Sequence, residues 1–138
     1  MNFLVDTGIL ILRERHEAVR SWFAEHLTAD KVATCDMVGM EYLMGARNGR
    51  HFDDLATSLN ALHRVDVVPS DWRRASHVLK ALAYQTGGGQ RAVRIPDLLV
   101  AAVGERVAMP IAHYDEDYDR IAAVTGQQTL WVVPRGSL

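Results

Sequence analysis

The chain predicts an α/β protein with a mainly parallel sheet of about five strands and helices on both faces. Three observations carry this. Five short runs, at residues 2–5, 31–35, 63–68, 109–113 and 129–133, read as strands. Segments with apolar residues at helical spacing separate them. Strands that alternate with helices favour parallel pairing, and a parallel sheet is covered on both faces. At 138 residues the chain has the size of one domain, and residues 1–138 are read as a single one.

Taken in order, residues 2–5 (NFLV) form a short buried strand ended by Asp6. A helical turn follows at 8–13, then an amphipathic helix at 15–28 with Val19, Trp22, Phe23 and Leu27 on one stripe. The run 31–35 (KVATC) is the second strand. Asp36 is placed to cap the next helix, which carries Met37, Met40, Tyr42 and Leu43. Residues 50–62 give a helix with Phe52, Leu55, Leu59 and Leu62 in register. The third strand spans 63–68 and is closed by Pro69; Ser70 is the expected N-cap of a helix over 71–84. Three glycines in TGGGQRAVR (86–94) would each cost about 1 kcal/mol inside a helix, so a flexible loop beside the site is expected there. Pro96 opens the next helix, with Asp97 in its first turn. The fourth strand (109–113), a helix at 116–125 ended by Gly126, and a last strand (129–133) complete the chain.

Composition narrows the function classes. Hydrophobic residues make up 49% and charged residues 23%, ordinary for a globular protein. A net charge of −2 provides no global basic field for nucleic acid, so any such binding needs a local patch. Lysine occurs only at Lys31 and Lys80, while Arg47, Arg50, Arg91, Arg94 and Arg120 lie near acidic signatures or their loops. Arginine suits planar phosphate recognition. The lone Cys35 rules out an internal disulfide and reads as a buried structural thiol, which fits a reducing cytoplasm. The opening MNFLVDTGIL lacks a basic n-region, and no apolar stretch is long enough to span a bilayer; neither a secretory leader nor a membrane association is expected.

The functional signal lies in acids at strand ends: Asp6 in FLVDTGIL, Glu41 in GMEYLMGAR, Asp97 in IPDLLVAA, and Asp115 and Asp117 in AHYDEDYDRIAA. Alone, Asp6 and Asp115 fit helix caps, Asp97 a first-turn acid and Glu41 a surface glutamate. Together they converge, because parallel strands bring their carboxyl ends to one edge, where such sheets bind ligands. Clustered carboxylates need a countercharge. Hard oxygen donors without a His/Cys quartet favour Mg2+ or Mn2+ over Zn2+. His113 reads as a packed strand-end histidine. A carboxylate-held cation of this kind commonly serves phosphoryl chemistry with an activated water. A haloacid-dehalogenase-type phosphatase would need an acid two residues after Asp6, where Gly8 stands. A receiver domain would need a lysine after the last strand, and TLWVVP has none. No GxxxxGK[ST] phosphate loop is present.

LVDTGIL, MEYLMGAR, IPDLLVAA and HYDEDYDRIA, in that order, resemble PIN-domain ribonucleases, specifically the VapC toxins of VapBC toxin–antitoxin pairs, over essentially the whole chain. The resemblance implies a three-layer α/β/α sandwich and a type II toxin endoribonuclease that cleaves RNA with Mg2+ or Mn2+, leaving a 5′-phosphate and a 3′-hydroxyl. It makes Asp6, Glu41, Asp97 and Asp115 the catalytic acids. Metal ligands would come from Asp6, Asp97, Asp115 and Asp117, with the inner place left open between the last two. Glu41 would position the attacking water and Thr7 would orient a water or ligand. Gly8 departs from the Ser or Asn often found next. The resemblance also implies a homodimer and a VapB-like antitoxin laid over the apolar helices 15–28 and 50–62, often pushing an arginine into the acids. The alternative is a catalytically weak PIN-like module acting with its antitoxin as a DNA-bound repressor complex.

Overall fold

Strands β1 (Phe3–Val5), β2 (Val32–Cys35), β3 (His63–Val65), β4 (Ile111–His113) and β5 (Thr129–Trp131) form a sheet in the order β3-β2-β1-β4-β5, every neighbouring pair parallel. The structure is a computed structural model that describes residues 1–85 and 87–138. Helices α1 (Thr7–Leu12), α2 (Glu17–Thr28), α3 (Asp36–Met44), α4 (Gly49–Leu59), α5 (Pro69–Ala83), α6 (Ile95–Val107) and α7 (Asp117–Thr125) cover it. The expected α/β/α sandwich is the fold adopted.

Burial explains why the strands could be read. Leu4 and Val5 in β1, all of β2 and all of β4 are buried, so the inner strands are short uninterrupted buried runs. Leu4 lies beside Ala33 on one side and Ile111 on the other. The edges differ. In β3, His63 and Arg64 are exposed and pair with Asp30 and Asp36. Only residues 63–65 join the ladder, three fewer than expected, because beyond them the Asp66 carbonyl accepts from Arg106 instead.

The helix starts follow local chemistry, with two corrections. Ser70 is not the cap of α5: Val68 is, Pro69 takes the first turn, and the Asp71 carboxylate accepts the Val68 N–H at 2.9 Å. Asp36 is the first residue of α3 rather than its cap, and its carboxylate holds Arg64 at 2.8 Å. Asp71 is buried and also receives both Nε and a terminal nitrogen of Arg106, at 2.9 and 3.1 Å, which ties the start of α5 to the end of α6.

Helix α6 forms the floor of the site. Every residue from Asp97 to Gly104 is buried. Gly104 permits this close packing, since a Cβ there would sit 2.9 Å from the Met109 carbonyl. The glycine-rich stretch before α6 was expected to be a loop. Thr86 lies outside the described residues. Gly87 and Gly88 take φ of 84° and 68°, which favour glycine, and a 3-10 turn at Gly89–Arg91 packs on α5. Among the described residues no helix is long and apolar enough to cross a membrane.

Candidate active site and metal centre

The strand order reverses between β1 and β4, so their carboxyl ends lie side by side. Asp6 leaves β1, and Tyr114 and Asp115 leave β4. The first turn of α6 brings Asp97 beneath the same edge, and the second turn of α3 brings Glu41 over it. Asp6, Thr7, Gly8, Glu41, Arg94 and Asp115 line a cleft of ≈ 350 Å³ there.

Asp97, Asp115 and Asp117 each offer one carboxylate oxygen, and these atoms lie within 4.8 Å of one another. Asp97 is only 2% exposed, and its Oδ2 has no hydrogen-bond partner among the described residues. Burial, followed by the charges of Asp6 and Asp115, pushes its carboxyl up to about 8; Arg94 pulls the other way and Asp117 adds to the rise. Asp6 is also buried, and desolvation raises its carboxyl against the lowering hydrogen bond from Tyr118. Asp6 has the backbone angles of an N-cap, and besides Tyr118 the nearby backbone N–H groups of Thr7 and Gly8 favour its ionised form.

The expected acids are therefore arranged unequally. Asp97, Asp115 and Asp117 form the close group. Asp6 stands next to it, joined through the buried Tyr118 hydroxyl, which donates to Asp6 Oδ1 at 2.7 Å and lies 3.5 Å from Asp97 Oδ1. Glu41 is on the cleft wall: its Oε1 accepts from the Thr7 hydroxyl at 3.0 Å and its Oε2 from Arg94 at 2.8 Å. Asp115 and Asp117 both contribute an oxygen to the close group, and their carboxylates have different partners. Asp115 Oδ1 accepts the Asp117 N–H at 2.9 Å at the start of α7, whose N-cap is Glu116. Asp117 Oδ1 is bound by Arg120 at 2.7 Å.

Two neighbours have structural roles. His113 Nδ1 accepts the Asp115 N–H at 3.1 Å, and its ring packs between Tyr118 and Trp131. Burial holds its imidazole down to about 4, so it stays neutral. Cys35 is buried, and burial pushes its thiol up, away from the reactive thiolate. Tyr118 is the residue that sequence reasoning missed. It shares one buried face of α7 with Ile121, three residues on, which reads as core. The available signal was the hydroxyl, because a buried tyrosine usually needs a polar partner. That partner lies 112 residues away, beyond the reach of local patterns.

The donor set fits a hard divalent cation. The close group offers only carboxylate oxygens, and a buried carboxylate oxygen without a hydrogen-bond donor lacks a countercharge.

A family profile for the PIN domain matches residues 3–124. The chain belongs to the PIN-domain family. This PIN domain is 43% identical to Ribonuclease VapC18 of Mycobacterium tuberculosis (strain ATCC 25618 / H37Rv), over 100% of both chains. It is 37% identical to Ribonuclease VapC51 of the same strain, over 100% of this chain and 98% of the other. In fold it is similar to the DNA-bound VapBC structure from Salmonella typhimurium, with a TM-score of 0.75 at 15% identity over 96% of this chain and 99% of that one. It also resembles VapBC2 from Rickettsia felis, bound to a DNA fragment from its promoter, with a TM-score of 0.74 at 13% identity over 95% and 99% of the two chains.

Proposed function

We propose that this PIN domain is the toxin endoribonuclease of a type II toxin–antitoxin pair, hydrolysing RNA phosphodiester bonds with Mg2+ or Mn2+ held by Asp97, Asp115 and Asp117. The observation that carries the reading is Asp97 itself, buried among acids with one oxygen left without a donor. Full-length similarity to proteins named ribonucleases supports it. When bound, the cation supplies Lewis-acid polarisation of the phosphate and activation of a water.

The side chains divide the remaining work. Asp115 and Asp117 are fixed by the α7 N-terminus and by Arg120, so their free oxygens are held in place before anything binds. Tyr118 sets the orientation of Asp6, whose carboxylate completes the acid ring beside the close group. Glu41, held at Oε1 by the Thr7 hydroxyl and, without substrate, at Oε2 by Arg94, orients the attacking water and takes up its proton. The products are a 5′-phosphate and a 3′-hydroxyl.

A VapB-like antitoxin partner, a homodimer, a cytoplasmic setting and a single domain over 1–138 complete the reading. Exposed Ile11 on α1 and Met44 on α3 line the cleft, and Met40 on α3 and Phe52 on α4 are exposed as well. The apolar stripe of α2 instead turns inward through Val19 and Phe23. An antitoxin is better served by the α1–α3–α4 face than by α2. A pure binding module would carry the cost of a buried, uncompensated Asp97 without using it, which favours the enzyme.

The test is incubation of purified protein with structured RNA and Mg2+ or Mn2+. Cleavage is expected to stop in EDTA and in Asp97→Asn, and expression of the wild type alone is expected to arrest growth. Cleavage that persists in EDTA would overturn the metal-carboxylate mechanism.

A further inference from the structure

We propose that Arg94 is the phosphate anchor of the cleft: its guanidinium grips the RNA backbone and in doing so releases Glu41. The inference rests on the ribonuclease reading and assigns one residue's task within it. A site of five carboxylates repels a polyanion, so an RNA-cleaving cleft needs a positive group of its own besides the cation. Arg94 is the only basic side chain among the described residues lining this cleft.

Its build suits the task. The backbone is fixed, because the Arg94 carbonyl accepts the Asp97 and Leu98 N–H groups at 3.1 and 3.2 Å, on the same turn that holds Asp97. Upstream, Val93 is buried and the 3-10 turn at Gly89–Arg91 packs on α5. The side chain, in contrast, is 63% exposed, while its Glu41 partner is 18% exposed. Among the described residues Arg94 uses one terminal nitrogen, on Glu41 Oε2, leaving the rest of the guanidinium fork for another acceptor.

Magnitudes decide between a structural ion pair and a substrate anchor. A single ion pair whose arginine side is exposed to solvent contributes little. A bidentate, charge-assisted bond from arginine to phosphate is stronger and geometrically matched. An incoming phosphate therefore outcompetes Glu41 for the guanidinium. Glu41 then keeps only the Thr7 hydroxyl on Oε1, and its Oε2 is freed to face the water. Substrate binding and exposure of the proton acceptor become one event.

The experiment uses full-length wild type, Arg94→Gln and Arg94→Lys with a short single-stranded RNA in Mn2+. It reads KM, kcat, the salt dependence of KM, Mn2+ affinity by electron paramagnetic resonance, and the melting temperature in EDTA. For Arg94→Gln we expect KM to rise about tenfold or more, as for loss of a hydrogen bond between charged groups. The slope of log affinity against log salt should fall by about 0.7, the share of one single-strand phosphate contact. Melting temperature should stay within about 3 °C, and Mn2+ affinity should not fall. Arg94→Lys should keep the salt slope and lose part of the affinity. An unchanged KM and slope in Arg94→Gln, with wild type active, overturns the anchor. Weaker Mn2+ binding with an intact slope overturns it too, since the arginine would then serve the acids alone. A wild type that neither binds nor cleaves RNA overturns the ribonuclease reading, and the anchor falls with it.

Discussion

Asp97→Asn should remove activity and yet stabilise the metal-free protein. The reasoning starts from burial. Asp97 is 2% exposed and its carboxyl is pushed from 3.8 up to about 8 by desolvation and neighbouring acids. The folded state therefore holds a proton that the unfolded chain gives up. Stability assigned to this group is fully present below pH 3.8 and drains away as pH rises through 8. At about 1.4 kcal/mol per unit, the drain is on the order of 5 kcal/mol at pH 8. A carboxamide keeps the shape and never charges, although its own buried dipole returns part of the gain, leaving about 2–3 kcal/mol. The assay is urea unfolding of both proteins in EDTA from pH 4 to pH 8. The variant-minus-wild-type difference should be small or negative at pH 4 and rise to about 2–3 kcal/mol in favour of the variant at pH 8. Adding Mn2+ should reverse the order, because only the wild type binds it tightly. A difference that is flat with pH, or a variant less stable at pH 8 in EDTA, would refute the argument that Asp97 is an uncompensated buried acid.

Other perturbations follow from the same geometry. Tyr118→Phe removes the donor to Asp6 Oδ1 with little change of shape, and should cost about 1–2 kcal/mol of metal-free stability and weaken Mn2+ binding, checked by urea unfolding and calorimetric titration. Arg106→Met strands the buried Asp71 carboxylate and should cost about 3–5 kcal/mol, while Arg106→Met with Asp71→Asn should recover much of it in the same unfolding assay. His113 is held near 4 against an ordinary 6.5, so the stability it contributes is present above pH 6.5 and lost as pH falls toward 4, by about 3 kcal/mol; in His113→Phe that loss should vanish from the pH profile. Between pH 4 and 6.5 the His113 and Asp97 terms oppose each other, so each variant is compared with wild type at every pH.

The inner strands were legible because both faces are covered, which makes Phe3–Val5 and, apart from Thr34, Val32–Cys35 apolar whatever their neighbours do. The edges were not. In HRVDVV, Val67 belongs to the core as much as Val65, yet only 63–65 meets β2, since strand pairing depends on where Arg106 of α6 reaches. The Ser70 cap misled because Pro69 and Asp71 flank it, and a carboxylate returning to the Val68 N–H is a stronger start signal than the serine. At the site the acids could be read from their places after strands. Their grouping could not. Asp6 stands beside rather than within the close trio, and the link is the Tyr118 hydroxyl, which local patterning assigns to the core. Nor does the spacing of Asp115 and Asp117 tell that the first carboxylate takes the Asp117 N–H while the second takes Arg120.

The most direct test of the cation centre is a crystal grown with Mn2+ and measured for anomalous scattering. The account predicts a peak within coordination distance of the Asp97, Asp115 and Asp117 carboxylates, lost in Asp97→Asn. A peak held elsewhere, or no peak at this edge of the sheet in an RNA-cleaving protein, would contradict it.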